Sequence, residues 1–181
     1  MTTYLDLDVS GLVNAASLAQ FNLFSRVAAT NVGQPVNVAS MASDVGVNVK
    51  TLRSWLSILE QSYIVFLLQP YYVNSRKRLV KTPKLYFYDT GLLCHLLSNG
   101  PASEMERSGT LRPVFENAVI AECYKHHLNS GKTPELYFYR DSNGVEVDLV
   151  DMTVASAPKL CEIKSSRTFR KSFYSASRRR W

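Results

Sequence analysis

Between Gly144 and Lys164 the chain plants carboxylates in aliphatic sequence at two-residue spacing, and few folds tolerate that. Gly144-Val-Glu146-Val-Asp148-Leu-Val-Asp151 reads as a turn and a strand, and after a short spacer Leu160-Cys-Glu162-Ile-Lys164 reads as a second strand. Strand side chains alternate between two faces, so Glu146 and Asp148 share a face, as do Glu162 and Lys164. Antiparallel pairing of the two strands would set two or three carboxylates beside one ammonium. Burying such charges is costly unless they bind a cation or one another. The pattern therefore marks a candidate divalent-metal site suited to phosphodiester chemistry.

The 181 residues, 46% of them apolar, suffice for one ordinary domain or two small ones with a real core. A net charge of +6 invites a nucleic-acid reading. However, Arg167, Arg170, Lys171, Arg178, Arg179 and Arg180 supply all of the excess, because the 15 bases before them face 15 acids. The basic character thus describes a tail, and the body is neutral. Three cysteines, Cys94, Cys123 and Cys161, are odd in number, widely spaced and without a Cys-x-x-Cys pair, which argues against a disulfide framework and for a reducing cytoplasm. The N-terminal segment has no signal-peptide pattern, and the longest apolar run, residues 63–68, is far too short to span a bilayer, so no membrane association is expected.

No internal repeat is visible, and the polar, breaker-rich stretch 98–109 reads as a linker between a unit at 1–97 and another at 110–181. In the first unit, residues 15–30 carry Leu18, Phe21, Leu23, Phe24, Val27 and Ala28 at helical spacing. A short helix over 38–45 then closes at Gly46, and Asn48 caps a second helix with the stripe Leu52, Trp55, Leu56 and Leu59. Two helices about a glycine turn, followed by strands at 63–69 and 84–88, predict a winged helix-turn-helix. If it binds DNA, the second helix offers Lys50 and Arg53 to the major groove, and the hairpin loop offers Arg76, Lys77 and Arg78 to the phosphates. The bland alternative is a protein-docking module with a solvated basic loop.

In the second unit, a helix over 111–128 is followed by strands at 135–139, 145–150 and 159–164, an α-β-β-β order. Glu116 lies on that helix among Val119, Ile120 and Cys123, a carboxylate on an apolar side. Brought against the sheet, it could complete a set in which Asp148 and Glu162 hold Mg²⁺ or Mn²⁺ while Lys164 steadies the attacking water or the developing phosphorane. The competing account makes Glu146 and Asp148 solvent-facing and lets Glu162 and Lys164 satisfy cross-strand neighbours.

The order Phe115-Glu116, Leu136-Tyr-Phe-Tyr-Arg140, Glu146-Val-Asp148 and Glu162-Ile-Lys164-Ser165 resembles the PD-(D/E)XK nuclease fold, close in pattern to archaeal Holliday-junction resolvases. With the winged helix and the segment Thr82-Pro-Lys-Leu-Tyr-Phe-Tyr-Asp-Thr-Gly-Leu92 in front, residues 4–173 resemble the C-terminal domain that follows the ATPase module in many prokaryotic AAA-type ATPases. The resemblance implies a mixed α/β fold, metal ligation by Asp148 and Glu162, support from Glu116 and a catalytic Lys164. Val147 stands where the motif has proline. The family core continues with another helix and strand that residues 175–181 do not match, so the chain reads as C-terminally truncated, or else a partner supplies the missing layer.

Other cofactors find less support. Cys123, His126 and His127 have partly suitable zinc spacing, but Cys94, His95 and Cys161 show no ligand pairing to complete four, so no zinc is expected. No Gly-x-x-x-x-Gly-Lys-Ser/Thr loop occurs, so nucleotide binding would belong to an ATPase domain, fused or separate. Two classes stay open: a Mg²⁺-dependent endonuclease module that handles DNA, and an inactive nuclease-like scaffold that docks a protein or the ATPase ring. An uncovered sheet edge would also permit a homo-oligomer.

Overall fold

The computed structural model describes residues 17–71, 82–140 and 144–166. Helices α1 (Leu18–Thr30), α2 (Val38–Val45) and α3 (Val49–Gln61) come first, followed by strands β1 (Val65–Pro70) and β2 (Lys84–Phe87). Helices α4 (Thr90–Leu96), α5 (Ala102–Ser108) and α6 (Leu111–Asn129) follow, and strands β3 (Leu136–Arg140), β4 (Glu146–Asp151) and β5 (Lys159–Cys161) complete the order. The architecture is mixed α/β.

The first three helices form where their caps and stripes dictate. Asn37 accepts from the Ser40 N–H at 3.1 Å and Asn48 accepts from the Thr51 N–H at 2.8 Å, satisfying donors that a helix start leaves open. Gly46, at φ +74°, closes α2 in the left-handed region without a Cβ penalty. Phe21 and Phe24 of α1 meet Trp55 of α3, with ring centroids 5.6 and 6.1 Å apart, and Leu52, Leu56 and Leu59 are buried beside them. These contacts join one apolar core.

All five strands belong to one sheet, in the order β2-β1-β3-β4-β5. β1 and β2 pair antiparallel, with Val65 opposite Phe87, but β1 also pairs in parallel with β3, Gln69 opposite Tyr137. The hairpin read as the wing is thus also part of the downstream sheet. Burial explains it: Val65, Phe66, Leu68 and all four residues of β2 are buried, and a solvated wing would leave them wet. The free side of β2 is covered by the connection after α1, where Gly33 N–H donates to the Leu85 carbonyl and Val36 N–H to that of Pro83.

Two further expectations change. The stretch read as a linker carries α5, which packs on α6. The strand read over 159–164 ends at Cys161, because the Ile163 N–H turns from ladder pairing to the Asp148 carboxylate at 2.7 Å. β4 pairs antiparallel with both β3 and β5, and the β3–β4 register shifts between Tyr137 and Tyr139.

Candidate active site

Alternation along β4 sends Glu146 and Asp148 to the same side, where α6 lies against the sheet and contributes Glu116. The three carboxylates line a cavity of about 240 Å³ together with Lys84, Arg112, Arg140, Gln34 and Gly33. α6 is held in register by Asn117, which is fully buried. Its Oδ1 accepts from the Phe87 N–H at 2.7 Å and its Nδ2 donates to the Phe87 carbonyl at 3.1 Å, copying a strand partner at the end of β2. That grip sets the neighbouring Glu116 over Lys84 and Tyr86.

Each carboxylate has a named cationic or hydrogen-bonding partner. Tyr86 Oη donates to Glu116 Oε1 at 2.7 Å. Lys84 Nζ lies 3.6 Å from the same oxygen and 2.6 Å from Glu146 Oε1. Arg140 Nη1 is 3.8 Å from Glu146 Oε2. Asp148 Oδ2 receives the Ile163 N–H and has Lys164 Nζ at 3.7 Å, while Lys164 Nζ is 2.9 Å from Glu162 Oε2. Burial, then the Glu116 carboxylate, drives the Tyr86 phenol far above its ordinary range, so it stays a proton donor. For Lys164, burial pulls down, but the Glu162 hydrogen bond and the Asp148 and Glu162 charges outweigh it and hold the ammonium above its usual range. The charged form of Lys164 is thereby favoured by its two acidic neighbours.

The structure unites some of the residues singled out from sequence and separates others. Glu116 and Asp148 face one cavity; Glu162 and Lys164 are joined to it through Asp148 and lie outside its lining. Lys50 and Arg53 are exposed on α3 and do not line this pocket, and Arg76, Lys77 and Arg78 lie outside the described residues. His127, on the apolar side of α6, is hydrogen-bonded through Nε2 to Asp151 Oδ2 at 3.0 Å. Sequence reading missed Lys84, Tyr86, Asn117 and the role of Gly33. A signal was present for the first two: a lysine inside Lys84-Leu-Tyr86-Phe, a strand otherwise aromatic and aliphatic, requires a buried anion.

The donor set is a poor match for a hard divalent ion. Such an ion wants several oxygen ligands around one point. Among the described residues no group of three His, Cys, Asp or Glu side chains converges in that way. Among the described residues Glu116, Glu146, Asp148 and Glu162 are paired with Lys84, Arg140 and Lys164, and Arg112 also lines the cavity, so resident cations offset the field that would draw a dication. One feature favours a ligand: Glu162 Oε1 is buried without a hydrogen-bond partner.

The chain is 30% identical over 169 residues to an uncharacterized protein of Mycobacterium tuberculosis and, equally, to one of Mycobacterium bovis. The match takes in 93% of the chain but only 37% of each relative. No solved structure matches. No helix among the described residues is long and apolar enough to cross a membrane. Residues 112–180, which contain α6 from its second residue and the whole of β3 to β5, match the domain of unknown function DUF4143. Residues 1–103 match a second domain of unknown function, and since that match takes in more than half of the sequence, the chain belongs to the DUF8612 family.

Proposed function

We propose that this chain is the nuclease-like accessory module of an AAA-type ATPase and that it handles DNA without cutting it. The observation that carries the reading is the pairing of the site's carboxylates with its own bases, Lys84, Arg140 and Lys164, with Arg112 also lining the cavity, beside a Glu162–Lys164 pair ordered as in a PD-(D/E)XK motif. A fold can persist after its chemistry has gone. DNA contact is supported by α2, Gly46 and α3, read as a winged helix with the β1–β2 hairpin. α3 buries Leu52, Trp55, Leu56 and Leu59 and exposes Lys50, Arg53 and Ser54. Three free cysteines suit the reducing cytoplasm where such a module would work.

A second reading, Mg²⁺- or Mn²⁺-dependent cleavage, is favoured by the unpartnered Glu162 Oε1. The two are separated by incubating the protein with branched and linear DNA in Mn²⁺ beside a Glu162→Ala, Lys164→Ala double variant. Neither protein cutting is the expected result; cleavage by wild type that the variant loses establishes the nuclease. Fluorescence anisotropy against salt tests the DNA contact itself. Replacing Lys50 and Arg53 with Ala should lower the slope of log affinity against log salt by about 2, roughly one per phosphate contact. Absence of DNA binding even at low salt overturns the DNA reading and leaves a protein-docking scaffold.

A further inference from the structure

We propose that Lys84 is the resident cation of this pocket: its ammonium sits between Glu116 and Glu146, ties up the Glu116 carboxylate that would complete a metal site with Asp148 and Glu162, and so excludes metal. The assignment deepens the non-cleaving reading of the same site and rests on it.

Lys84 is a strand lysine with a side chain only 4% exposed, a placement that is prohibitive for an isolated ammonium. Its position on β2 is what makes the burial possible. Lys84 and Tyr86 are two residues apart and share a face, so both reach the side where Glu116 descends from α6. The lysine stem passes toward β3, with Nζ 5.1 Å from the centre of the Phe138 ring, and ends 2.6 Å from Glu146 Oε1 on β4. It thereby ties three non-adjacent elements, β2, α6 and β4, through one charge. Glu116 is pinned from two more directions. Tyr86 donates to its Oε1, and Gly33, at φ +72°, approaches so closely that a Cβ there would sit 3.3 Å from that oxygen. A carboxylate so confined has little freedom to swing toward an ion elsewhere. Of the three carboxylates expected to hold a dication, Glu116 is engaged through Oε1 by Lys84 and Tyr86 and Asp148 through Oδ2 by the Ile163 N–H, so a metal would have to displace the ammonium to recruit Glu116. The strand segment around Lys84 and Tyr86 thus arms the pocket with a tethered cation and with the phenol that orients its carboxylate.

The test uses Mn²⁺ alone as the probe. Titrated into the wild-type chain and followed by electron paramagnetic resonance, Mn²⁺ should find no saturable site. In Lys84→Met, which keeps the stem and removes the charge, one Mn²⁺ per chain should bind saturably, at least about tenfold more tightly than the residual non-saturating association of wild type. Adding Glu116→Gln should abolish that gain, and Lys84→Arg should retain the exclusion. If Lys84→Met folds only when Mn²⁺ is present during refolding, the proposal is supported. A folded Lys84→Met that gains no Mn²⁺ affinity overturns it. The wild-type chain supplies a measurement free of folding effects: the Lys84 ammonium resonance in a ¹H–¹⁵N spectrum should be protected from exchange and unbroadened by millimolar Mn²⁺. Broadening, or fast exchange, refutes a resident cation even if no DNA is cut, whereas loss of DNA binding with Mn²⁺ still excluded refutes the functional reading alone.

Discussion

The two sides of this molecule are held by different physics. Around Trp55, helices α1 and α3 meet through Phe21, Phe24, Leu52 and Leu59, all apolar, and their contacts need only volume and shape. Around Lys84, the sheet meets α6 through Tyr86, Glu116, Asn117 and Glu146, where each group is tolerated because a particular partner is present. The first kind of interface degrades gradually with size. The second fails when one member loses its counterpart, and its specificity is what makes it a candidate site.

The contrast can be broken most forcefully at Trp55. Trp55→Ala removes a buried indole between two phenyl rings and should cost about 4 kcal/mol, read as a fall in the urea midpoint that is insensitive to salt and to pH between about 5 and 8. If that loss varied with ionic strength, the apolar description of the helical side would be wrong. On the polar side, Asn117→Ala leaves the Phe87 N–H and carbonyl buried without their partner and should cost about 3 kcal/mol. Hydrogen exchange should then quicken at Phe87 while amides in α1 stay protected; uniform loosening would mean the two sides are not separable.

The smallest effect is expected at the far end of α6. Burial raises the Asp151 carboxyl, but hydrogen bonds from Thr153 and His127 more than offset it and leave the group below its ordinary 3.8. A carboxylate depressed on folding contributes stability that is complete above its unfolded pKa and disappears as pH falls through the folded value. Acid unfolding below about pH 4 should therefore be shallower in Asp151→Asn than in wild type, with little difference in slope at neutral pH. Equal acid limbs would remove Asp151 from the polar side.

Much of the helical side was legible in the sequence because its rules are local. Asn48 sits one residue before its helix, Gly46 closes α2, and the stripe at Leu52, Trp55, Leu56 and Leu59 repeats with the helical period. The α-β-β-β order of α6, β3, β4 and β5 was legible for the same reason, and alternation alone put Glu146 and Asp148 on one face. Strand ends were less secure. Nothing local to Glu162-Ile163-Lys164 says that the Ile163 amide abandons the ladder for a side chain fifteen residues earlier.

Which segments coil, which extend and which carboxylates stand among aliphatic neighbours can all be read along the chain, since period and capping are properties of a few consecutive residues. That the hairpin joins the downstream sheet, and that Lys84, 62 residues before Glu146, becomes its ion partner, emerges only once the chain has folded. Desolvation demands a partner for every buried charge but does not name it. Which oxygen meets which ammonium follows from strand order, and strand order is fixed by pairings between segments far apart in the chain.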